Sequence, residues 1–579
     1  MAPGYLAFAA ILASAVLPLA CGQTQGDSVT TTDYIVVGGG PAGFVVAERL
    51  TRNPRVNVVL LEAGPDLDSD VNVNTPAKFP LNTKGAWLYR VQPDENLGGL
   101  TPDLGQGQAL GGGTAIHAQI YCRGAASVFD EWAAKSGNKG LAWESILNSF
   151  GATTTWQDEA GIDYAQPINA TAFGRGPLAV SRQRKLTPLD QPFVSKLAAE
   201  LHLNEIDFVS GGGIGVSQGV NTIRAANRTR SYGYNAFGYL ANTRPNFRLR
   251  TGAWVSAIVV ANRTAVGVTY NDTATNTLRT IAAKEVIVSA GAVNSPQLLM
   301  LSGIGPAARL RELGIPVVQD LPQVGQNLVD HHLAVLQYQA SPEQPTLWQY
   351  QFNATVRTEA DRLYASSRGD GLLGRQWGDA YGAVRVPDSV FAGTGSTWYS
   401  RLPADRPHLV YEYISAGLLP NAGNVSAVSA WVGLVQPEGK GNITLASRDY
   451  RDAPLIRANY WGTAADRAAV LYGYKQLRSI LQSAELKPLL PTELFPGPNV
   501  TTDADIWAAI QESSRSWHHP VGTLALGTVL NADWRVKGVK GLRVVGSAAA
   551  PYIPTCPIQA SVYAIAHRAA LDIAAADGI

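Results

Sequence analysis

The segment DYIVVGGGPAG, residues 33–43, followed by VNVVLLE at 56–62, decides the fold. Asp33 to Val37 is a short β-branched run that stops at glycine, the signature of a buried parallel strand. Ala42 to Leu50 has helical character, and Val56 to Leu61 reads as a second strand, so the three form a βαβ unit. Between strand and helix, Gly38-Gly39-Gly40-Pro41-Ala42-Gly43 fits G-x-G-x-x-G. The first glycine makes the tight turn, the second lets backbone approach a pyrophosphate, and the third allows close helix–strand packing. The helix N-terminus favours the phosphate charge. Glu62 ends the second strand, 24 residues after Gly38, where an acid hydrogen-bonds the ribose of a dinucleotide. A glycine turn alone is weak evidence; strand, turn, helix, strand and acid in register predict a dinucleotide site with contacts at Gly38, Gly39, Gly40, Gly43 and Glu62.

The whole chain suits such a site. Its 579 residues exceed what one core organises, so two or three units are expected. A composition 46% hydrophobic and 16% charged, with 58 Gly and 34 Pro, is that of a loop-rich α/β enzyme. A net charge of +1 gives no electrostatic reason to expect nucleic acid or an anionic membrane as partner. Tyr5 to Ala20 is an almost unbroken apolar run ending in small residues, read as a secretory signal (1–22) cleaved near Ala20 to Gly22. At 16 residues it is short for a membrane anchor, although no Lys or Arg precedes it. Acceptor sites for N-glycosylation at Asn169, Asn227, Asn262, Asn271, Asn353, Asn424, Asn442 and Asn499 agree with secretion. Of three cysteines, Cys21 falls at the cleavage region, while Cys122 and Cys556 could pair or stay free. No cluster has zinc-ligand spacing.

Further strands are expected at Ala257 to Val260, Glu285 to Ser289 and Asn442 to Ala446. Helices are expected at Ser295 to Ser302, Asp466 to Gln482 and Ser561 to Ala575. Residues 333–424 read as irregular and aromatic-rich, a substrate-facing region of long loops.

Five segments carry a family resemblance. GQALGGGTAIHAQIYCRG (107–124) resembles the first signature of the glucose–methanol–choline (GMC) oxidoreductases, and GAVNSPQLLMLSGIG (291–305) matches the second. GQNLVDH (325–331) and HPVGT (519–523) are similar to two further family elements, as is GNITLASRDYRDAPLIRANY at 441–460. The resemblance implies FAD as cofactor and an α/β (α+β) fold: a Rossmann-like FAD-binding domain (32–330, discontinuous), a mainly substrate-binding domain with an antiparallel sheet and helices (331–535), and a C-terminal segment returning to the FAD domain (536–579). It extends the expected FAD contacts to Gly112, Gly113, Thr114, His117, Ala118, Val255, Gly546, Ser547 and Gln559.

The resemblance also implies the reaction. A histidine takes the hydroxyl proton of an alcohol while the carbon-bound hydrogen passes as hydride to flavin N5, and oxygen or another acceptor removes the electrons. Imidazole suits that task because its pKa lies near neutrality. The base maps onto His519. In a strand-like segment neighbours point oppositely, so His518 is expected to be packed or at the pocket edge. Three positions depart from the family pattern: Pro557 stands where a second His or Asn usually helps hold the substrate, His117 where Asn is usual, and Gly546 where Asp is frequent. Relatives that tether FAD covalently use a histidine where this chain has Ile116. His567 reads as a helix-face histidine. Trp348, Tyr350, Phe352, Trp377, Tyr381, Phe391, Trp398 and Tyr399 suggest an aryl or polyketide-like alcohol. The alternative is non-redox cyclase or lyase chemistry with FAD structural, motivated by the missing polar group at Pro557.

Overall fold

Thr32–Val37 forms the predicted first strand, Pro41–Leu50 the helix and Val58–Leu61 the second strand, in a computed structural model that describes residues 32–579 except 83, 159–161, 163–165, 367, 379 and 421–424. The predicted signal segment and Asn424 lie outside the described residues. Val58–Leu61 is flanked by Phe247–Arg250 and Thr32–Val37, and the latter by Thr277–Val288 and then Leu542–Val544, all parallel. Both faces of this sheet are covered, so its strands read as unbroken apolar runs. Thr277–Val288 belongs to two structures. Its exposed first half pairs antiparallel with Thr264–Asp272, and its buried last four residues enter the parallel sheet. The closing helix, Gln559–Asp577, packs against Pro41–Leu50 and Trp143–Thr153. Eleven of its residues are buried, and it extends two residues beyond each end of the expected Ser561 to Ala575.

A second sheet is antiparallel, in the order Thr492–Phe495, His332–Gln339, Ala427–Leu434, Leu409–Ile414, Tyr381–Val384 and Gly215–Ser217, with Arg515–Ser516 also on His332–Gln339. Helix Ala464–Leu481, N-capped by Thr463, covers one face. Three of these strands overturn the expectation of irregular structure over 333–424. Their residues are buried on both faces, so the polar–apolar alternation that marks a half-exposed strand is missing.

Cys122 and Cys556 form a disulfide across 434 positions of sequence. Both are buried, and the bridge ties the segment after the second glycine turn to the loop that carries Pro557. Among the described residues no helix is long and apolar enough to cross a membrane.

Candidate active site and cofactor cavity

Two glycine turns meet at the C-terminal edge of the parallel sheet. Gly38 has φ +105°, and a Cβ there would stand 2.6 Å from the Ser289 carbonyl oxygen, so the turn admits no side chain. The Gly39 N–H donates to Glu62 Oε2 and the Gly64 N–H to Oε1, each at 2.7 Å. Burial pushes the Glu62 carboxyl up to about 7, against the opposing effect of these N–H groups. The Gly111 N–H donates to the Gly39 carbonyl at 2.8 Å, bringing Gly112, Gly113 and Thr114 onto the start of helix Pro41–Leu50. That helix has no side-chain cap, so its first N–H groups remain for an anionic ligand.

A cavity of about 610 Å³ runs from these turns into the second sheet. Its wall includes Gly38, Gly40, Glu62, Gly112, Gly113, Thr114, His117, Ala118, Val255, Gly546, Ser547 and Gln559. Gly39 and Gly43 are corrections to the expected contacts, for neither is on the wall. Gly39 turns its N–H to Glu62, and Gly43 packs on the Gly38 carbonyl, where a Cβ would lie at 2.0 Å. Seven wall residues carry a buried polar atom with no hydrogen-bond partner among the described residues, Ser289 Oγ, His117 Nε2 and Gln559 Oε1 among them. Buried polar groups are rarely left so. An uncapped helix N-terminus, glycine turns open to the cavity, a ribose-seeking carboxylate and orphaned polar atoms together fit FAD.

At the far end stands His519, whose tautomer the surroundings dictate. Behind it lies His331, fully buried and held neutral by burial, which pushes its pKa down to about 3. His331 Nε2 faces two backbone carbonyls, Pro554 at 2.9 Å and Val435 at 3.2 Å. Carbonyls only accept, so Nε2 carries the proton and Nδ1 is bare. His331 Nδ1 is 3.0 Å from His519 Nδ1, so His519 donates there and keeps its lone pair on Nε2. His519 is also held neutral: burial first, then the fields of His331, His518 and His117, lower its pKa well below the ordinary imidazole value. Its backbone N–H donates to Asp330 Oδ1 at 2.8 Å, while Oδ2 accepts from Ser516 Oγ at 2.6 Å and Tyr460 OH at 2.5 Å. Burial pushes the Asp330 carboxyl up to about 6.

His518 also lines the cavity, contrary to the expected alternation. Its φ of +61° breaks the extended backbone, and the next ring then opens on the same side. It presents surface to the cavity yet lies deep in the protein, and burial lowers its pKa. Pro557 lines the cavity, so no side-chain donor stands at that position. His567 lies on the last helix, with Nδ1 3.1 Å from Ser149 Oγ and away from the cavity wall.

None of the eight aromatics expected at the substrate lines this cavity. Trp377 is buried with its indole N–H on the Ala77 carbonyl, and Phe391 stacks on Tyr399 in the second core. The aromatic wall is made instead by Phe79, Trp87, Trp254, Trp431, Tyr450 and Trp517. Trp431 and Trp517 meet edge to face, with centroids 5.9 Å apart, and Trp517 lies 5.4 Å from His519. Glu412, paired across strands with Trp431, adds a buried carboxyl to this end. His331, Glu412 and Trp517 were missed in the sequence. Only His331 had a signal, since it ends the GQNLVDH segment.

Comparison with known proteins places this geometry. The profile described as GMC oxidoreductase matches residues 32–333, and its C-terminal counterpart matches residues 437–566. Patulin synthase of Aspergillus clavatus is 30% identical, over 94% of this chain and 92% of its own. An oxygen-dependent choline dehydrogenase of Vibrio vulnificus is 32% identical over 93% of each chain. An FAD-dependent oxidoreductase of Chaetomium thermophilum, solved with a bound fragment, superposes with a TM-score of 0.85 at 28% identity, covering 95% of this chain and 100% of its own.

Proposed function

The chain belongs to the GMC oxidoreductase family, and on that premise we propose that it oxidises an aromatic alcohol, with His519 as the general base. It is an FAD-dependent oxidoreductase acting on an alcohol-type substrate and passing electrons to an acceptor. Two relatives of nearly equal identity carry names that refer to different compounds, patulin and choline, so identity does not choose this chain's substrate and the cavity wall must. FAD, when bound, accepts the hydrogen removed from carbon. The observation that carries the reading is the fixed tautomer of His519: a neutral ring whose bare Nε2 has no hydrogen-bond partner among the described residues, ready to accept a hydroxyl proton. Trp517, 5.4 Å from His519, and Trp431, edge to face with Trp517, supply flat apolar surface beside it.

The test is anaerobic mixing of the FAD-loaded protein with a panel of primary aromatic, aliphatic and sugar alcohols. Bleaching of the flavin band fastest with aromatic alcohols supports the reading. A flavin that no member of the panel reduces refutes it. Admission of air then tells whether oxygen is the acceptor.

A pH profile follows from the same geometry. His519 must be neutral to act, and its lowered pKa keeps it so at neutral pH and somewhat below. Asp330 holds its three donors as a carboxylate and is protonated as pH falls through about 6. The rate of flavin reduction is therefore level from neutral pH down to about 6 and falls below it. An acid limb at or above neutrality would contradict this assignment.

We also propose passage through the secretory pathway, to the lumen or outside. The buried Cys122–Cys556 bridge supports it. So does exposure of Asn169, Asn227, Asn262, Asn353 and Asn499, with Asn442 half-exposed. Asn271 is buried and its amide bonds Asn276 Oδ1 at 3.3 Å, which argues against a glycan there.

A further inference from the structure

Arg230 is fully buried, yet no carboxylate pairs with it among the described residues. Its Nε donates to the Val73 carbonyl at 2.7 Å, and Nη1 to the carbonyls of His117 at 2.7 Å and Thr114 at 3.2 Å. Nη2 has no partner. Two other buried arginines are compensated: Arg543 pairs with Glu285 and Asp577, and Arg123 lies over the rings of Phe150 and Phe173. An uncompensated interior charge is costly, and burial pushes the Arg230 pKa down to about 9. Its position makes sense if something negative arrives nearby.

The residue between Arg230 and the cavity is His117. His117 Nδ1 faces the Gln119 backbone N–H at 2.6 Å and Arg230 Nη1 at 3.4 Å. Both of these can only donate, so Nδ1 is bare and Nε2 carries the hydrogen. That Nε2–H belongs to a cavity-lining residue and makes no close hydrogen bond among the described residues, with the Gln559 side chain beside it. The ring cannot be protonated readily, because burial and then Arg230 hold its pKa well below the ordinary value. His117 lines the same cavity as His519.

We propose that Arg230 is a positioning residue for the flavin: it fixes His117 as a neutral Nε2–H donor to the ring system and supplies the positive charge that favours the reduced over the oxidised cofactor. The reading rests on the redox function proposed above. A hydride brings one proton and two electrons, so the ring gains one negative charge on reduction, and a buried cation behind its hydrogen-bond donor lowers the energy of that charge. The same fixing of Nδ1 makes His117 a hydrogen-bond donor to FAD and not a covalent tether through that nitrogen.

The test is the midpoint potential of protein-bound FAD, measured by anaerobic titration against reference dyes, which needs no substrate and so separates this inference from the alcohol reading. Arg230→Met shifts the equilibrium towards oxidised flavin by about tenfold or more, which for a two-electron couple is about 30 mV. Arg230→Lys, which keeps the charge, stays nearer to wild type. A folded, FAD-loaded Arg230→Met protein with the wild-type potential overturns the proposal. If Arg230→Met does not fold, His117→Leu decides. That side chain lines a cavity wall, and its replacement is expected to lower the potential and move the flavin absorption bands. Unchanged bands and potential in His117→Leu overturn the proposal equally.

Discussion

Replacing His519 by alanine lowers the rate of anaerobic flavin reduction by an aromatic alcohol by about 10²–10⁴-fold, the usual worth of a placed base, and leaves FAD bound. The effect is large because no other described wall residue has a second histidine behind it that leaves Nε2 bare. His518 shares the cavity but is held by the Gly105 backbone and has no second histidine behind it among the described residues, and Pro557 offers no acceptor side chain. FAD stays because its expected contacts, from Gly38 to Gln559, do not depend on the His519 ring. Stopped-flow reduction, with the flavin-to-protein absorbance ratio as control, reads both parts. An alanine variant that reduces its flavin at the wild-type rate would remove His519 from the mechanism.

Gly43→Ala has the second large effect, and it acts on the fold. The added methyl would lie 2.0 Å from the Gly38 carbonyl oxygen, and neither backbone can retreat. Gly38 is itself hemmed in by Ser289, and Gly43 is held in the helix. Overpacking of this kind costs about 1–3 kcal/mol, occasionally more, and displaces the turn that faces the phosphates. The expected result is a lower apoprotein melting temperature and loss of FAD. Gly40→Ala separates the two consequences. Its methyl meets no atom within 4 Å, because it points into the cofactor space, so it leaves apoprotein stability intact while excluding FAD. Equal melting temperatures for Gly43→Ala and wild type would show that the turn is softer than its contacts imply.

The glycine turn was legible in the sequence because its chemistry is local: strand, turn, helix and Glu62 lie within about thirty residues of one another. His519 was legible through the HPVGT segment. Its working partner was not, since the role of His331 depends on the carbonyls of Val435 and Pro554, each more than a hundred residues away. Glu412 was hidden for another reason. In the strand LVYEYI, 409–414, every residue is buried, so a lone acid among apolar neighbours gave no periodic signal. The aromatics of 333–424 misled because large rings are commoner in cores than at ligands. Arg230 shows no sequence signal at all, because its meaning lies in an absence, the acid that does not pair with it.

The cofactor cavity draws its walls from Val37 at one end of the chain to Val562 at the other. A ribosome adding about 5–20 residues per second takes on the order of one minute to deliver the second end after the first. Throughout that interval the glycine turns exist without Gly546, Ser547 and Gln559, and Cys122 waits for Cys556. Loading of FAD is thus expected of completed chains, and a nascent or C-terminally truncated molecule should leave synthesis colourless, with the Gly546, Ser547 and Gln559 side of its cofactor cradle open to water.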